Sequence, residues 1–185
     1  MVVSDKTYTA QDFIAFTQAH PDSLYELVEG RMIEKVTSEL HGKIVGIILF
    51  ALISYLKSHP DIQGHWSTEA SYAPENDTEN SRRPDVSLRL TQDKVSTCAI
   101  VSGIPDFAVE VKSPSNTYEE LRNKAHFYIL HGARLVWLVY PTKEIVEVYF
   151  ADGTSELRKG RWHLDSFRKQ LKIFVFMQDV SENDG

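Results

Sequence analysis

Ile104-Pro105-Asp106-Phe107-Ala108-Val109-Glu110-Val111-Lys112-Ser113-Pro114 is the stretch that decides the fold. It reads as a buried strand that ends in charge. Strand side chains alternate between faces, so Phe107, Val109 and Val111 share one face while Ala108, Glu110 and Lys112 share the other. Pro114 cannot continue a ladder and marks the strand's end. A carboxylate inside an apolar strand is costly to bury alone, and Lys112, two residues on, is the expected partner of Glu110. A buried strand that delivers an acid and a base at its exit is a candidate site.

Downstream, Asn116 is placed to cap a helix from Thr117 to His131, with Glu119 at its third position and Gly132 as its terminator. Arg134 to Tyr140 reads as a second buried strand. Strand, helix and strand over 104–140 fit a crossover joining two parallel strands. A turn at Pro141 to Glu144 and a strand from Ile145 to Phe150 follow.

Upstream, Pro84-Asp85 opens a strand over Val86 to Leu90, and Trp66 to Ala73 reads as one strand. The polar run Pro74 to Arg83 is a loop. Thr91 to Gly103 is a connection expected to be partly helical. At the N-terminus, Thr9 and Asp12 form a capping-box pattern for a helix ending at His20, before Pro21. Two strand-like runs, Leu24 to Val28 and Arg31 to Val36, flank Glu29-Gly30 as a hairpin. Ser38 to His59 is the longest helical segment. Its apolar residues cover most of the circumference, which predicts deep burial. The sum is an α/β fold with a central mixed β-sheet flanked by helices.

With 185 residues, 42% hydrophobic and 25% charged, one domain over 1–185 is expected, with its core at about 9–150 and a short-stranded tail over 151–185. The single cysteine, Cys98, excludes an intramolecular disulfide and a Cys-rich zinc site. The histidines show no His-Glu-x-x-His spacing, and neither a Gly-rich phosphate loop nor a Gly-x-Ser-x-Gly elbow is present. The polar N-terminus lacks a signal core, and the apolar run Ile44 to Leu56 is short for a bilayer span, so a cytoplasmic protein with no membrane partner is expected. A net charge of −6 argues against a strong nonspecific nucleic-acid binder, yet leaves room for an enzyme whose carboxylates hold a cation.

Asp85, Glu110 and Lys112 form the leading constellation. Adjacent strands lie about 4.8 Å apart, so carboxylates on neighbouring strands can share a metal. Asp85 and Glu110, aided by a carbonyl such as that of Val111, suit Mg²⁺ or Mn²⁺. Lys112 would orient or deprotonate a water, or stabilise charge on phosphorus. Each residue also has an ordinary reading: Asp85 as a turn cap, Glu110 and Lys112 as a structural ion pair, Lys124 as a helix-surface partner of Glu120. Glu26 is expected on the solvent face of the hairpin and His41 as a satisfied polar residue. Asp106 lies near the far end of its strand, a poorer ligand position than Asp85.

Pro84-Asp85 followed by Glu110-Val111-Lys112 resembles the PD-(D/E)xK pattern of restriction-endonuclease-like nucleases. Tyr25-Glu26-Leu27-Val28-Glu29-Gly30, His41 at the start of a long helix, Arg83-Pro84-Asp85-Val86 and Pro105 to Ser115 together resemble the Uma2 family. So do Lys124 to Tyr128, Gly132, and Val136-Trp137-Leu138-Val139 before Pro141. The resemblance implies a bacterial endonuclease with a restriction-endonuclease-like core, acting on DNA rather than RNA with Mg²⁺ or Mn²⁺. It places Asp85 and Glu110 as metal ligands and Lys112 as the catalytic cation, with Lys124, Glu26 and His41 in support. Many members of the family carry an apolar residue at the position of Lys112, where the helix lysine matching Lys124 supplies the cation; this chain has both. Arg82, Arg83 and Arg122 are candidate phosphate contacts, and a double-strand cut is simplest from a homodimer. Three alternatives stand beside this: a nuclease fold that binds nucleic acid or a protein without cutting, a hydrolase of another phosphate ester, and an interaction domain using Ile173 to Met177.

Overall fold

Local chemistry sets the ends of the elements in this computed structural model, which describes residues 7–159. The first helix, α1 (Ala10–Ala19), is capped by Thr9 and Asp12 in the expected reciprocal box. Strands β1 (Leu24–Val28) and β2 (Arg31–Lys35) pair antiparallel as a separate two-stranded sheet. Their turn, Glu29-Gly30, has positive φ at both residues, the conformation that suits the right-handed twist of a tight hairpin. A Cβ at Gly30 would lie 2.3 Å from Thr7 Cγ2, so that side chain would have to shift, and the φ of +70° favours glycine in its own right.

Helix α2 (Glu39–Ser58) is capped by Ser38. Strands β3 (His65–Ser67) and β4 (Tyr72–Ala73) replace the single strand expected over 66–73. The chain breaks between them at Glu69, whose φ of +54° is incompatible with a continuous strand. After β5 (Val86–Arg89), the connection holds no helix; it contains only the short β6 (Val101–Ser102), paired with β4. Strand β7 (Phe107–Val111) is followed by helix α3 (Tyr118–Leu130). Thr117 and Glu120, rather than Asn116 and Glu119, form its capping box, because Asn116 instead accepts from Ser113. Strand β8 (Leu135–Tyr140) then leads through a 3-10 turn at Pro141–Lys143 into β9 (Ile145–Phe150) and β10 (Ser155–Lys159).

The main sheet has the order β10-β9-β8-β7-β5-β3, with β7 and β8 parallel and the other pairs antiparallel. α3 supplies the crossover between β7 and β8, as the sequence predicts. Phe107, Val109 and Val111 pack with Ile44, Ile48 and Leu52 of α2 on one face. On the other, Ala108, Val136 and Leu138 pack with Leu121, Ala125 and Tyr128 of α3. Phe13 of α1 packs with Tyr25, Leu27 and Met32 of the hairpin. By length and composition α2 could cross a membrane, yet one of its faces seats on the sheet. The expectation of burial all round is corrected: a single sheet covers one side, leaving Phe50 57% and Leu40 46% exposed. The segment Ile173 to Met177 lies outside the described residues.

Candidate active site

The antiparallel pairs Val86–Val109 and Ser87–Ala108, extended by one step, set Asp85 opposite Glu110. The Asp85 amide donates to Val109 O at 2.9 Å, and the Val111 amide donates to Asp85 Oδ2 at 2.6 Å. The two carboxylates are buried, at 1% and 2% exposure. They lie in the lining of a cleft of about 780 Å³, between the β1–β2 hairpin, the start of α2 and one side of α3.

Lysines reach the acids from two elements. Lys35 Nζ, at the end of β2, donates to Asp85 Oδ1 at 2.8 Å, Glu69 Oε2 at 2.7 Å and Arg83 O at 2.7 Å. Lys124 Nζ, on α3, lies 2.7 Å from Glu26 Oε2 and 3.1 Å from Glu110 Oε2. His41 Nε2 lies 3.0 Å from Asp85 Oδ2, and Tyr128 OH donates to Glu110 Oε1 at 2.9 Å. An ionised Asp85 can only accept, so His41 carries its proton on Nε2 in this contact.

The acids respond differently to one burial. Desolvation opposes ionisation of Asp85, but the charges of Lys35 and His41 and their hydrogen bonds overcome it and hold its carboxyl well below the usual range. Glu26 is likewise lowered: burial opposes ionisation, and Lys124, Lys35 and the Arg83 amide outweigh it. Burial dominates at Glu110, where the charges of Asp85 and Glu26 add to it against Lys124, and the carboxyl is pushed up to about 7. Burial and Asp85 raise Glu69 in the same direction despite Lys35. Both lysines are held above their ordinary value: burial opposes the charge, but the surrounding carboxylates prevail. Four buried or half-buried acids therefore face two lysines, and Glu110 is the acid that its neighbours' negative charge and burial push furthest toward the neutral form.

Several sequence expectations change here. The proposed pairing of Lys112 with Glu110 is not formed. β7 ends at Val111, alternation lapses with it, and Lys112 Nζ donates to Ser113 O at 3.1 Å and faces the Tyr118 ring at 5.3 Å. Lys124 takes its place on Glu110, not paired with Glu120, whose side chain caps α3. Glu26 points into the cleft rather than to solvent, because the hairpin's outer face is already packed on α1. His41 is satisfied, as expected, but by Asp85 itself. Asp106 closes the opposite end of the strand, accepting from the Leu90 amide and pairing with Arg134.

Each of the three candidate arginines has a partner within the fold, and Arg82 also lines the cleft. Arg82 donates to Leu27 O and lies 4.3 Å over the Phe127 ring. Arg83 Nη2 donates to Ser71 Oγ at 2.9 Å. Arg122 pairs with Glu147 of β9, on the side of α3 turned away from Lys124, since residues two apart on a helix lie on nearly opposite faces.

Lys35 and Glu69 are members of the site that sequence reasoning missed. The register pairs Glu26 with Ile33 and Leu24 with Lys35, so Glu26 and Lys35 share a hairpin face, and placing one places the other. Glu69 carries no such signal, since its position depends on the break between β3 and β4.

The fold is of the restriction-endonuclease-like α/β class. A crystal structure described as "a putative nuclease belonging to DUF820 from Anabaena variabilis ATCC 29413" matches with a TM-score of 0.69 and 21% identity, covering 82% of this chain and 84% of that one. Residues 10–171 match the model of the Uma2 family, described as "Putative restriction endonuclease". The chain belongs to the Uma2 family. No curated protein matches it.

Proposed function

We propose that this chain is a metal-dependent endonuclease that hydrolyses nucleic-acid phosphodiester bonds, with DNA as the expected substrate. The observation that carries this reading is the juxtaposition of Asp85 and Glu110 across β5 and β7 in the cleft, with Lys124 on Glu110.

The donor set fits a hard divalent cation. Among the described residues no group of three or more His, Cys, Asp or Glu side chains is arranged to hold a metal alone. Mg²⁺, however, usually takes one or two carboxylates and completes its shell with water and phosphate oxygens. Asp85 and Glu110 would hold it, with the Val111 carbonyl as a third oxygen, and the negative charge of Asp85 and Glu26 around Glu110 favours an added cation. When bound, the ion would polarise the phosphate and lower the pKa of a water. In the hydrolysis a water oxygen would bond to phosphorus as the ester P–O bond breaks, the water giving up a proton and the departing oxygen taking one from solvent, which leaves a phosphate monoester and an alcohol. Lys124 supplies positive charge beside Glu110 for the developing phosphorane. Tyr128 and His41 fix the two carboxylates in orientation, and burial keeps bulk water from screening them.

The competing reading is a nuclease fold that binds without cutting. It is favoured by one observation: each oxygen of Asp85 and Glu110 already has a partner within the chain. Incubation of the protein with supercoiled plasmid and with single-stranded DNA, in Mg²⁺ or Mn²⁺, separates the two. Metal-dependent nicking that is lost in Glu110→Ala supports the nuclease; no cleavage with either metal, and no metal binding by calorimetry, supports the non-cutting fold.

A further inference from the structure

The Lys35 ammonium sits where a cation would be expected. Three oxygens of three different groups surround it at 2.7–2.8 Å: Asp85 Oδ1, Glu69 Oε2 and Arg83 O. One of them belongs to the principal metal-ligand candidate. The lysine side chain is 10% exposed and that of Asp85 is 1% exposed, so the contact is largely shielded from solvent. Such a pair is costly to break, because either partner left alone would be a buried, uncompensated charge. The hairpin also anchors the stem of Lys35, since β2 pairs with β1 up to this residue.

We propose that Lys35 is an internal counter-cation that competes with the divalent ion for Asp85, and that Glu69 is the acceptor that retains the ammonium when the ion enters. The inference rests on the metal-dependent reading above and assigns functions to two residues outside the Asp85–Glu110 pair. Glu69 suits the acceptor role because it is half-buried and its carboxylate already touches Nζ, so the lysine can give up Asp85 without losing its charge partner. Lys124 does not duplicate the device. Its acid partners are Glu26 and Glu110, and it leaves Asp85 to Lys35. The site would thus stay charge-compensated and folded without metal, at the cost of weaker metal binding.

The test is calorimetric titration of MnCl₂ into wild type and Lys35→Met, with thermal unfolding of both in EDTA and in Mn²⁺. Lys35→Met is expected to bind Mn²⁺ about tenfold tighter or more, because the competing positive charge a few ångströms away is gone. It should also unfold at lower temperature than wild type in EDTA and regain more stability from Mn²⁺. Equal or weaker binding by the variant, with binding by wild type intact, overturns the competition and leaves the nuclease reading standing. No binding by either protein overturns both. Should Lys35→Met not fold, a crystal structure of Mn²⁺-loaded wild type decides. Nζ out of hydrogen-bond reach of Asp85 and still on Glu69 upholds the proposal, and an unbroken Lys35–Asp85 pair beside the ion overturns it.

Discussion

Glu110 and Glu147 stand in one row of the sheet, with Leu138 of β8 between them. Both are buried mid-strand glutamates under α3, and the helix sends a cation to each: Lys124 to Glu110, Arg122 to Glu147. Tyrosine completes both, Tyr128 at the first, Tyr140 and Tyr149 at the second. The difference lies in what surrounds them. Glu147 meets two hydroxyls and an arginine whose side chain is 51% exposed, whereas Glu110 shares its surroundings with Asp85 and Glu26 in a cleft. Burial and Glu147 together push the Tyr140 and Tyr149 hydroxyl pKa values up, which keeps both as donors. A buried acid in a strand is therefore not diagnostic of chemistry. Crowding of acids in an accessible cleft is the stronger pointer, because there a ligand can reach the surplus negative field.

Matched substitutions can break this contrast. The largest effect is expected for Glu110→Gln, with cleavage falling about 10³-fold or more as a metal ligand is lost, while Glu147→Gln stays within about threefold of wild type. Single-turnover nicking assays on both variants check it. Next comes Lys124→Met, expected to lower cleavage about 10²-fold by removing positive charge from the reacting phosphate. Arg122→Met should leave cleavage unchanged and cost at most about 1 kcal/mol in stability, because its ion pair is half exposed.

Acidity supplies a third test. Glu110 is raised in the folded protein, from 4.5 to about 7. Between those values the folded state keeps a proton that the unfolded state has released, so this residue's contribution to stability falls as pH rises through the window and levels off above it. Urea unfolding in EDTA at a series of pH values should show this decline, of order 1–3 kcal/mol. In Glu110→Gln the decline should be smaller. The smallest expected effect on function comes from Glu147→Leu. It leaves two tyrosine hydroxyls without their acceptor, costing about 1–3 kcal/mol in a melting experiment, with cleavage preserved.

The sequence made most of the scaffold legible because local signals agreed with one another. Thr9 and Asp12, Glu29-Gly30, the alternation around Glu110 and the apolar run at Leu135 each specify an element without tertiary help. Asp85 and Glu110 were legible for the same reason: strand pairing brings them together. Lys112 stands apart from Glu110 because alternation holds only as far as Val111, the last residue of the strand. Glu26 reads as solvent-facing in the sequence because nothing local shows that the hairpin is covered on both faces. Lys35 and Glu69 meet 34 residues apart in the chain, through a kink at Glu69 that propensity does not announce.

Anomalous scattering from crystals soaked in Mn²⁺ tests the central claim most directly, since it compares the two glutamates in one map. The account predicts a single strong peak within ligand distance of the Asp85 and Glu110 carboxylates and none at Glu147. A map with no peak between Asp85 and Glu110, or with the ion on Glu147 instead, would contradict it.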